Sequence, residues 1–396
     1  MMYKKQIVQV CLVILLFGHF VESGNVGKLK VLTFNAGLLD ASLAEDNPNI
    51  TNNREERRDA LIDYLKKSDA ELVCLQEVPF GQDVEKIVKE VSKKFPYSFS
   101  QLHQSNGALP PQSTTKWDPS CNPGILNAVF TCALNNGCAT GSETVRPGAE
   151  IFQCIVSNCL AEISALVATS GEPCLSCITT NSPQNYFTRC AGAPSTDLWN
   201  MNKMGLLLLS KKALSETHDV EFFPNYTNIF PQGYLRAKVN GNNLTVACVH
   251  AIQYLPYTLE FPPLGTDYPS YAAQNAHELQ ELVNSFKDVK PSALLGDFNV
   301  GPAALSVNEL GQDNYEILTS HFTTKLVKDS TFSTSNPYNG GEFAQNVIID
   351  HVFVNGDVDV LNAKVVLKRN KVSQGLPVSD HYGVKAMLKI KKCNGK

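Results

Sequence analysis

Ser292-Ala293-Leu294-Leu295-Gly296-Asp297-Phe298-Asn299 reads as a buried strand that ends in a carboxylate and an amide. The apolar run is short and does not alternate with polar residues, as expected of a strand covered on both faces. A core strand wastes stability by ending in a carboxylate unless something there needs the charge. The same grammar recurs at Thr33-Phe34-Asn35, Leu75-Gln76-Glu77, Cys248-Val249-His250, Ile349-Asp350 and Ser379-Asp380-His381. Strand ends in a sandwich can converge on one rim. Converging carboxylates repel unless a cation neutralises them, and oxygen donors with few sulfurs suit magnesium or manganese.

Around these endings the chain alternates strands and helices. Leu29 to Phe34 and Glu71 to Glu77 read as buried strands. Arg54 to Lys67 reads as a helix with Leu61 and Leu65 on one face, and Val84, Ile87, Val88 and Val91 mark a second that stops before Phe95-Pro96. Gly205 to Ser210 is apolar. Tyr234 to Val239 and Leu244 to His250 flank Asn240-Gly241, a hairpin turn signal. Ala276, Leu279, Val283 and Phe286 mark a helix; Val347 to Val354 is a strand; Val384, Ala386, Leu388 and Ile390 alternate as a half-buried strand does. There is no clean βαβ repeat. The expected class is therefore α+β: a four-layer α/β sandwich of two packed mixed β-sheets flanked by helices.

The texture changes between about residues 104 and 195, which are rich in Pro, Gly, Ser, Thr and Asn, with apolar helical pieces such as Ile151 to Val167. Eight of the twelve cysteines fall between Cys121 and Cys190. No histidine lies among them, so the density reads as a disulfide-rich insertion rather than a zinc site; the pairing is open. Cys74 and Cys248 read as free core cysteines, and Cys393 as the exposed unpaired candidate. At the N-terminus, Lys4 and Lys5 precede the apolar run Ile7 to Phe20 and a cleavage point at Ser23-Gly24, as in a signal peptide over residues 1–23. Asn49, Asn225 and Asn243 begin N-x-T sequons. A secreted, extracellular glycoprotein is the expectation. The formal charge of −4, from 34 basic and 38 acidic residues, does not advertise a general polyanion binder.

Taken singly, each ending has an ordinary explanation. Asn35 suits a turn, Glu77 a solvated strand end, His250 and His381 satisfied histidines, Asp297 and Asn299 an Asx turn, and Asp350 a cap. Together and in this order, they resemble the endonuclease/exonuclease/phosphatase superfamily, with its DNase I-like fold. The resemblance spans residues 24–396 outside the insertion. It implies a metal-dependent phosphodiesterase using magnesium, or manganese. Glu77 would be the main metal ligand, with Asn35 and Asp380 completing or supporting the site. Asp297 would orient and deprotonate the attacking water, and Asn299 would hold a phosphoryl oxygen or position that water. His381 would stabilise the developing charge, as imidazolium, or shuttle a proton; Asp350 would fix the tautomer and orientation of His381; and His250 would act on the opposite side, near the leaving group or a phosphate oxygen. His351 is given no catalytic role.

Three stretches are similar to the neutral sphingomyelinase-like branch: Met204 to Ser210, Gln232 to Val239, and His250-Ala251 followed by Ala276-His277-Glu278-Leu279. They imply a lipid headgroup as the phosphoester substrate. The aromatic Tyr254 to Tyr271 loop would give peripheral membrane contact, or else pack against the insertion. The alternative enzyme is a secreted DNase I-like endonuclease acting on nucleic acid. Arg54, Arg57 and Arg58 would then contact phosphates, although the interleaved Glu55 and Glu56 read rather as a solvated helix face. A non-catalytic secreted binding module is the alternative from another class. No obligate protein partner is evident.

Overall fold

The computed structural model describes residues 27–39, 53–103, 121–138, 154–179, 202, 204–223, 231–254, 268, 270–304, 307–339 and 345–391. In chain order its strands are β1 (Gly27–Asn35), β2 (Leu72–Gln76), β3 (Tyr97–Phe99), β4 (Leu207–Ser210), β5 (Leu214–Glu221), β6 (Gly233–Val239), β7 (Leu244–His250), β8 (Ser292–Asp297), β9 (Thr323–Thr324), β10 (Asp350–Asn355), β11 (Val358–Val366) and β12 (Gly383–Ile390). They form two mixed six-stranded sheets, ordered β11-β12-β1-β2-β4-β3 and β5-β6-β7-β8-β10-β9. In the first sheet β1 pairs parallel with β2; in the second, β7 pairs parallel with β8. These four strands end at the same rim, and that places Asn35, Glu77, His250 and Asp297 together.

The period of two along each strand builds the layers. Leu29 and Val31 of β1 point inward to meet Leu235, Val246 and Leu295 across the sandwich. Their neighbours Leu32 and Phe34 point outward, under Leu61 and Leu65 of α1 (Arg54–Lys67) and Val84 and Ile87 of α2 (Gly81–Val91). Ala247, Val249 and Leu294 of the second sheet take the outer cover of helices that follow the insertion. Each of the Leu, Val, Ile and Phe side chains among them, fully buried, contributes about 1.5–3 kcal/mol.

The insertion contributes helices α3 (Pro123–Asn135) and α4 (Leu160–Thr179), which enclose a small core of their own. Pro123 occupies the first turn of α3 and the Asn122 side chain accepts from the Gly124 and Ile125 amides, a standard helix start. Among the described residues its disulfides are nested: Cys138–Cys154 inside Cys132–Cys159 inside Cys121–Cys174. Helices α5 (Tyr271–Phe286) and α6 (Gln312–Thr319) complete the fold, laying Leu279, Val283, Phe286 and Leu318 on the second sheet. Among the described residues no helix is long and apolar enough to cross a membrane.

The expectation of free cysteines in the core is overturned. Cys74 of β2 and Cys248 of β7 form a disulfide that joins the two sheets through the inter-sheet core. Both face inward on strands that cross near each other, a proximity that 174 residues of separation conceal. Residues 1–23, Asn49, Asn225, Cys190, Cys393 and the middle of the Tyr254 to Tyr271 loop lie outside the described residues. Of that loop's ends, Tyr254 and Tyr268 pack on the outer face of the second sheet, and the Tyr268 ring stands edge-on to Phe223 at 5.4 Å.

Candidate active site

The rim is assembled by backbone pairing that continues past the strand ends. Ala36 N donates to Gln76 O at 3.0 Å and Leu38 N to Glu77 O at 3.0 Å. Across the other parallel pair, Ala251 N donates to Asp297 O at 3.0 Å. Glu77 and Asn299 both adopt positive φ, 53° and 57°, in the left-handed region that non-glycine residues avoid. Gly205 makes room for Glu77: a Cβ there would lie 3.2 Å from Glu77 Cα, and the Gly205 carbonyl accepts from Val78 N. Gly37, at φ 54°, serves Asp380, whose Oδ1 would sit 2.7 Å from an added Cβ.

Asn35 stands at the centre. Its Nδ2 donates to Glu77 Oε1 at 2.8 Å and to Asp297 Oδ2 at 3.1 Å, while its Oδ1 accepts from Gly37 N at 3.1 Å. Three more groups surround the same carboxylates. His250 Nε2 lies 3.8 Å from Glu77 Oε1 and 3.9 Å from Asp297 Oδ2. His381 Nε2 lies 3.7 Å from Asp297 Oδ2, and its Nδ1 is 3.0 Å from Asp350 Oδ2. Asn299 caps the cluster: its backbone N donates to Asp297 Oδ1 at 2.9 Å, an Asx turn, and its Nδ2 donates to Ala251 O at 2.8 Å. Asp380 joins through Ser379, whose hydroxyl donates to Asn35 O and lies 2.9 Å from Asp380 Oδ1. All eight expected site residues therefore meet at one rim. His351, one residue from Asp350, points to the opposite side of its strand and packs among Phe298, Tyr315 and Phe353.

Burial and crowding set the electrostatics. Asp297 is held above the usual carboxylate range by burial and by Asp350. Glu77 is raised by burial and by Asp380. Burial opposes the charging of His381, but Asp350 and Asp297 outweigh it and keep the imidazolium well above its ordinary value. Burial and the His381 charge push His250 down to about 4, so it stays neutral. The surroundings thus shift the two histidines beside Asp297 in opposite directions.

Several supporting residues carried no motif. Arg57 is fully buried, donating to the Ala36, Gly37 and Val378 carbonyls. Arg58 pairs with buried Asp83 at 2.8 Å, and Arg54 lies 3.8 Å from the same carboxylate. These arginines face protein partners: Arg57 ties α1 to the loops behind the site, and Arg58 and Arg54 tie it to α2 through Asp83. The spacing Arg57, Leu61, Leu65 carried that signal, since positions four apart share a helix face. Asn202, buried, donates to Val78 O and Leu206 O and fixes the turn beyond Glu77. Asn336 and Asn339 hold the Asp380 carbonyl.

The donor set fits a hard divalent cation. Glu77, Asp297 and Asp380 crowd oxygen donors whose mutual repulsion a cation would relieve, and one buried oxygen of Asp350 has no hydrogen-bond partner. Asp297, Asp350 and His381 each offer a ligand atom within 4.8 Å of the others. Among the described residues no cysteine joins this group, and oxygen-rich sites suit magnesium or manganese.

No curated protein sequence matches the chain. Among solved structures, it is similar to sphingomyelinase C from Streptomyces griseocarneus, with 15% identity, TM-score 0.51, and coverage of 91% of this chain and 99% of that one. It is also similar to Staphylococcus aureus beta toxin solved with magnesium ions bound, with 16% identity, TM-score 0.49, and coverage of 92% and 100%. A third likeness is to a humanized D. rerio TDP2, with 13% identity, TM-score 0.46, and coverage of 91% and 98%. At 15% identity the first of these likenesses speaks to the fold alone. The family model described as Endonuclease/Exonuclease/phosphatase family matches residues 32–381, from β1 to His381. With that span matched and the strand-end residues gathered at one rim, the chain belongs to the endonuclease/exonuclease/phosphatase family.

Proposed function

We propose that this chain is a secreted, divalent-metal-dependent phosphodiesterase that hydrolyses a sphingomyelin or phospholipid headgroup ester. The observation that carries the reading is the facing of Asp297 Oδ2 by Asn35 Nδ2, His381 Nε2 and His250 Nε2, at 3.1, 3.7 and 3.9 Å. Magnesium, with manganese as the second choice, would be held by Glu77 with Asp380 and Asn35 in support. When bound it supplies charge neutralisation to the phosphate and acidifies water. Asp297 orients the attacking water and takes its proton as the new oxygen–phosphorus bond forms and the phosphorus–oxygen bond to the leaving alcohol breaks, the departing oxygen taking up a proton from solvent. Asn35 and the Asn299 amide fix that carboxylate, and Asn299 sits beside the water or a phosphoryl oxygen. His381 presents an imidazolium N–H to the oxygen on which charge grows, and Asp350 keeps the ring oriented. Neutral His250 donates to a phosphate oxygen on the leaving-group side.

Secretion is supported by the signal-like N-terminus and by the disulfides, which suit an oxidising compartment. Asn243 lies exposed in the β6–β7 turn, at the opposite end of β7 from His250, where a glycan would not obstruct the rim. The aromatic stretch between Tyr254 and Tyr268, which follows His250 in the chain, is the proposed contact with a lipid surface, while Tyr254 and Tyr268 themselves anchor it on the second sheet. Burial of Arg57 and Arg58 removes the arginines that a nuclease would have aimed at a phosphate backbone, and this favours the lipid substrate over the endonuclease alternative.

The test is release of phosphocholine from sphingomyelin vesicles beside nicking of plasmid DNA, each with magnesium and with chelator. Metal-dependent lipid turnover without nicking is expected. Nicking without lipid turnover would move the chain to the nuclease alternative, and inertness toward both would favour a binding module.

A further inference from the structure

Beneath the rim, α5 carries a buried polar row that faces the backbone behind both catalytic segments. Glu278 and Asn275 are fully buried, Gln274 nearly so, and Asn314 of α6 adjoins them. Glu278 Oε2 accepts from Ile252 N at 2.7 Å, and its Oε1 accepts from Gln274 Nε2 at 3.0 Å. Asn275 Nδ2 donates to Ile252 O at 2.8 Å and to Phe298 O at 3.1 Å. Asn275 Oδ1 in turn accepts from Asn314 Nδ2 at 3.0 Å, and Asn314 also donates to Ala272 O.

The register of these bonds is informative. Ile252 stands two residues beyond His250, and both of its backbone polar groups are taken by α5 side chains. Phe298 stands between Asp297 and Asn299. One amide, Asn275, therefore stitches the segment after His250 to the Asp-Phe-Asn loop. The two segments are also joined directly, through Asn299 Nδ2 to Ala251 O and Ala251 N to Asp297 O. Segments that leave a sheet have no ladder to satisfy their amides, and buried amides left unpaired cost about 1–3 kcal/mol each. Apolar residues at 275 and 278 would seal the helix to the sheet equally well but would leave Ile252 and Phe298 unsatisfied.

We propose that Glu278 and Asn275 are positioning residues, which fix His250 against Asp297 by holding the backbone at Ile252 and Phe298. The inference rests on the phosphodiesterase reading for its consequence, though not for its geometry. Neither side chain reaches the rim. Their effect is exerted through placement, where a shift of about 1 Å in a reacting group can cost about 100-fold in rate.

The experiment compares Glu278→Gln, Glu278→Met and Asn275→Leu with the full-length wild-type chain. It reads magnesium-dependent phosphodiester turnover and site-resolved amide hydrogen exchange. Glu278→Gln keeps an acceptor for Ile252 N and is expected within about 3-fold of wild type. Glu278→Met and Asn275→Leu are expected to lower kcat about 10- to 100-fold with KM within about 2-fold. Exchange at residues 250–254 and 298–299 should accelerate while β1 and β12 stay protected. Unchanged kcat, unchanged exchange at Ile252, or failure of Glu278→Gln to rescue would overturn the proposal. Acceleration spread evenly over both sheets would overturn it too, since that marks general destabilisation. If Glu278→Met does not fold, the Asn275→Leu and Glu278→Gln pair carries the same contrast. If the wild type turns over no phosphodiester, the functional reading fails and hydrogen exchange alone judges the clamp.

Discussion

Glu77 and Asn299 hold left-handed backbone that costs an ordinary residue about 1–3 kcal/mol, and both stand at the rim. Strain of this kind persists where the surroundings over-determine it: pairing through Leu38 and Val78 fixes Glu77, while the Asx turn and Ala251 fix Asn299. The residue types at these positions were legible in the sequence because a carboxylate or imidazole ending an apolar strand has no cheap structural reason. Their strain was not, since φ depends on the chain packed behind it. Arg57 was misread for a related reason: its charge suggested solvent, while its destination was a set of carbonyls supplied by two distant loops. Glu278 gives a pH prediction at this scale. Burial raises its carboxyl to about 8 from the ordinary 4.5, so the folded protein keeps a proton that the unfolded chain has released. Its contribution is neutral below about 4.5 and increasingly destabilising as pH rises towards about 8. Melting temperatures of wild type and Glu278→Gln, compared at pH 5 and pH 7.5, should show a larger fall for wild type. Equal falls would contradict the assignment.

At the scale of elements, legibility followed periodicity. β8 was found from an uninterrupted apolar run, and α1 from apolar residues spaced by four. β5 was missed because Leu-Ser-Glu-Thr-His-Asp-Val-Glu is an edge strand with little buried side chain to announce it. β11 was missed because a bulge between Val360 and Asn362 shifts the alternation midway, so that Val358 and Val360 are out of phase with Ala363 and Val365. The Cys74–Cys248 bond belongs to pairs of elements rather than to either strand, and no local pattern announces it. It crosses the sandwich three residues before Glu77 and two before His250, and so couples the strands that present them. Replacing both cysteines by alanine should lower stability by about 2–4 kcal/mol in urea unfolding. A change below about 0.5 kcal/mol would mean that sheet packing alone sets the spacing.

On the scale of the whole molecule, the insertion and the sandwich have separate cores: the cluster around Leu126, Val129 and Leu166 shares no residue with the inter-sheet cluster. The insertion was legible as cysteine density, but its nested pairing follows from the helices that bring the partners together. The chain carries a formal charge of −4, and among the described residues Arg57 and Arg58 are turned inward, away from any phosphate backbone. Duplex DNA should therefore bind weakly at physiological salt in a filter-binding assay. Tight binding with a steep salt dependence would instead support the endonuclease alternative. The strand-end cluster is proposed as a metal-dependent phosphodiesterase centre, whatever its natural substrate. Hydrolysis of bis(p-nitrophenyl) phosphate tests it without presuming a lipid. Wild type should turn over with magnesium and stop with chelator, and Glu77→Gln and His381→Ala should each lose about 100-fold or more with the fold intact. Turnover that survives chelation or either substitution would contradict the account.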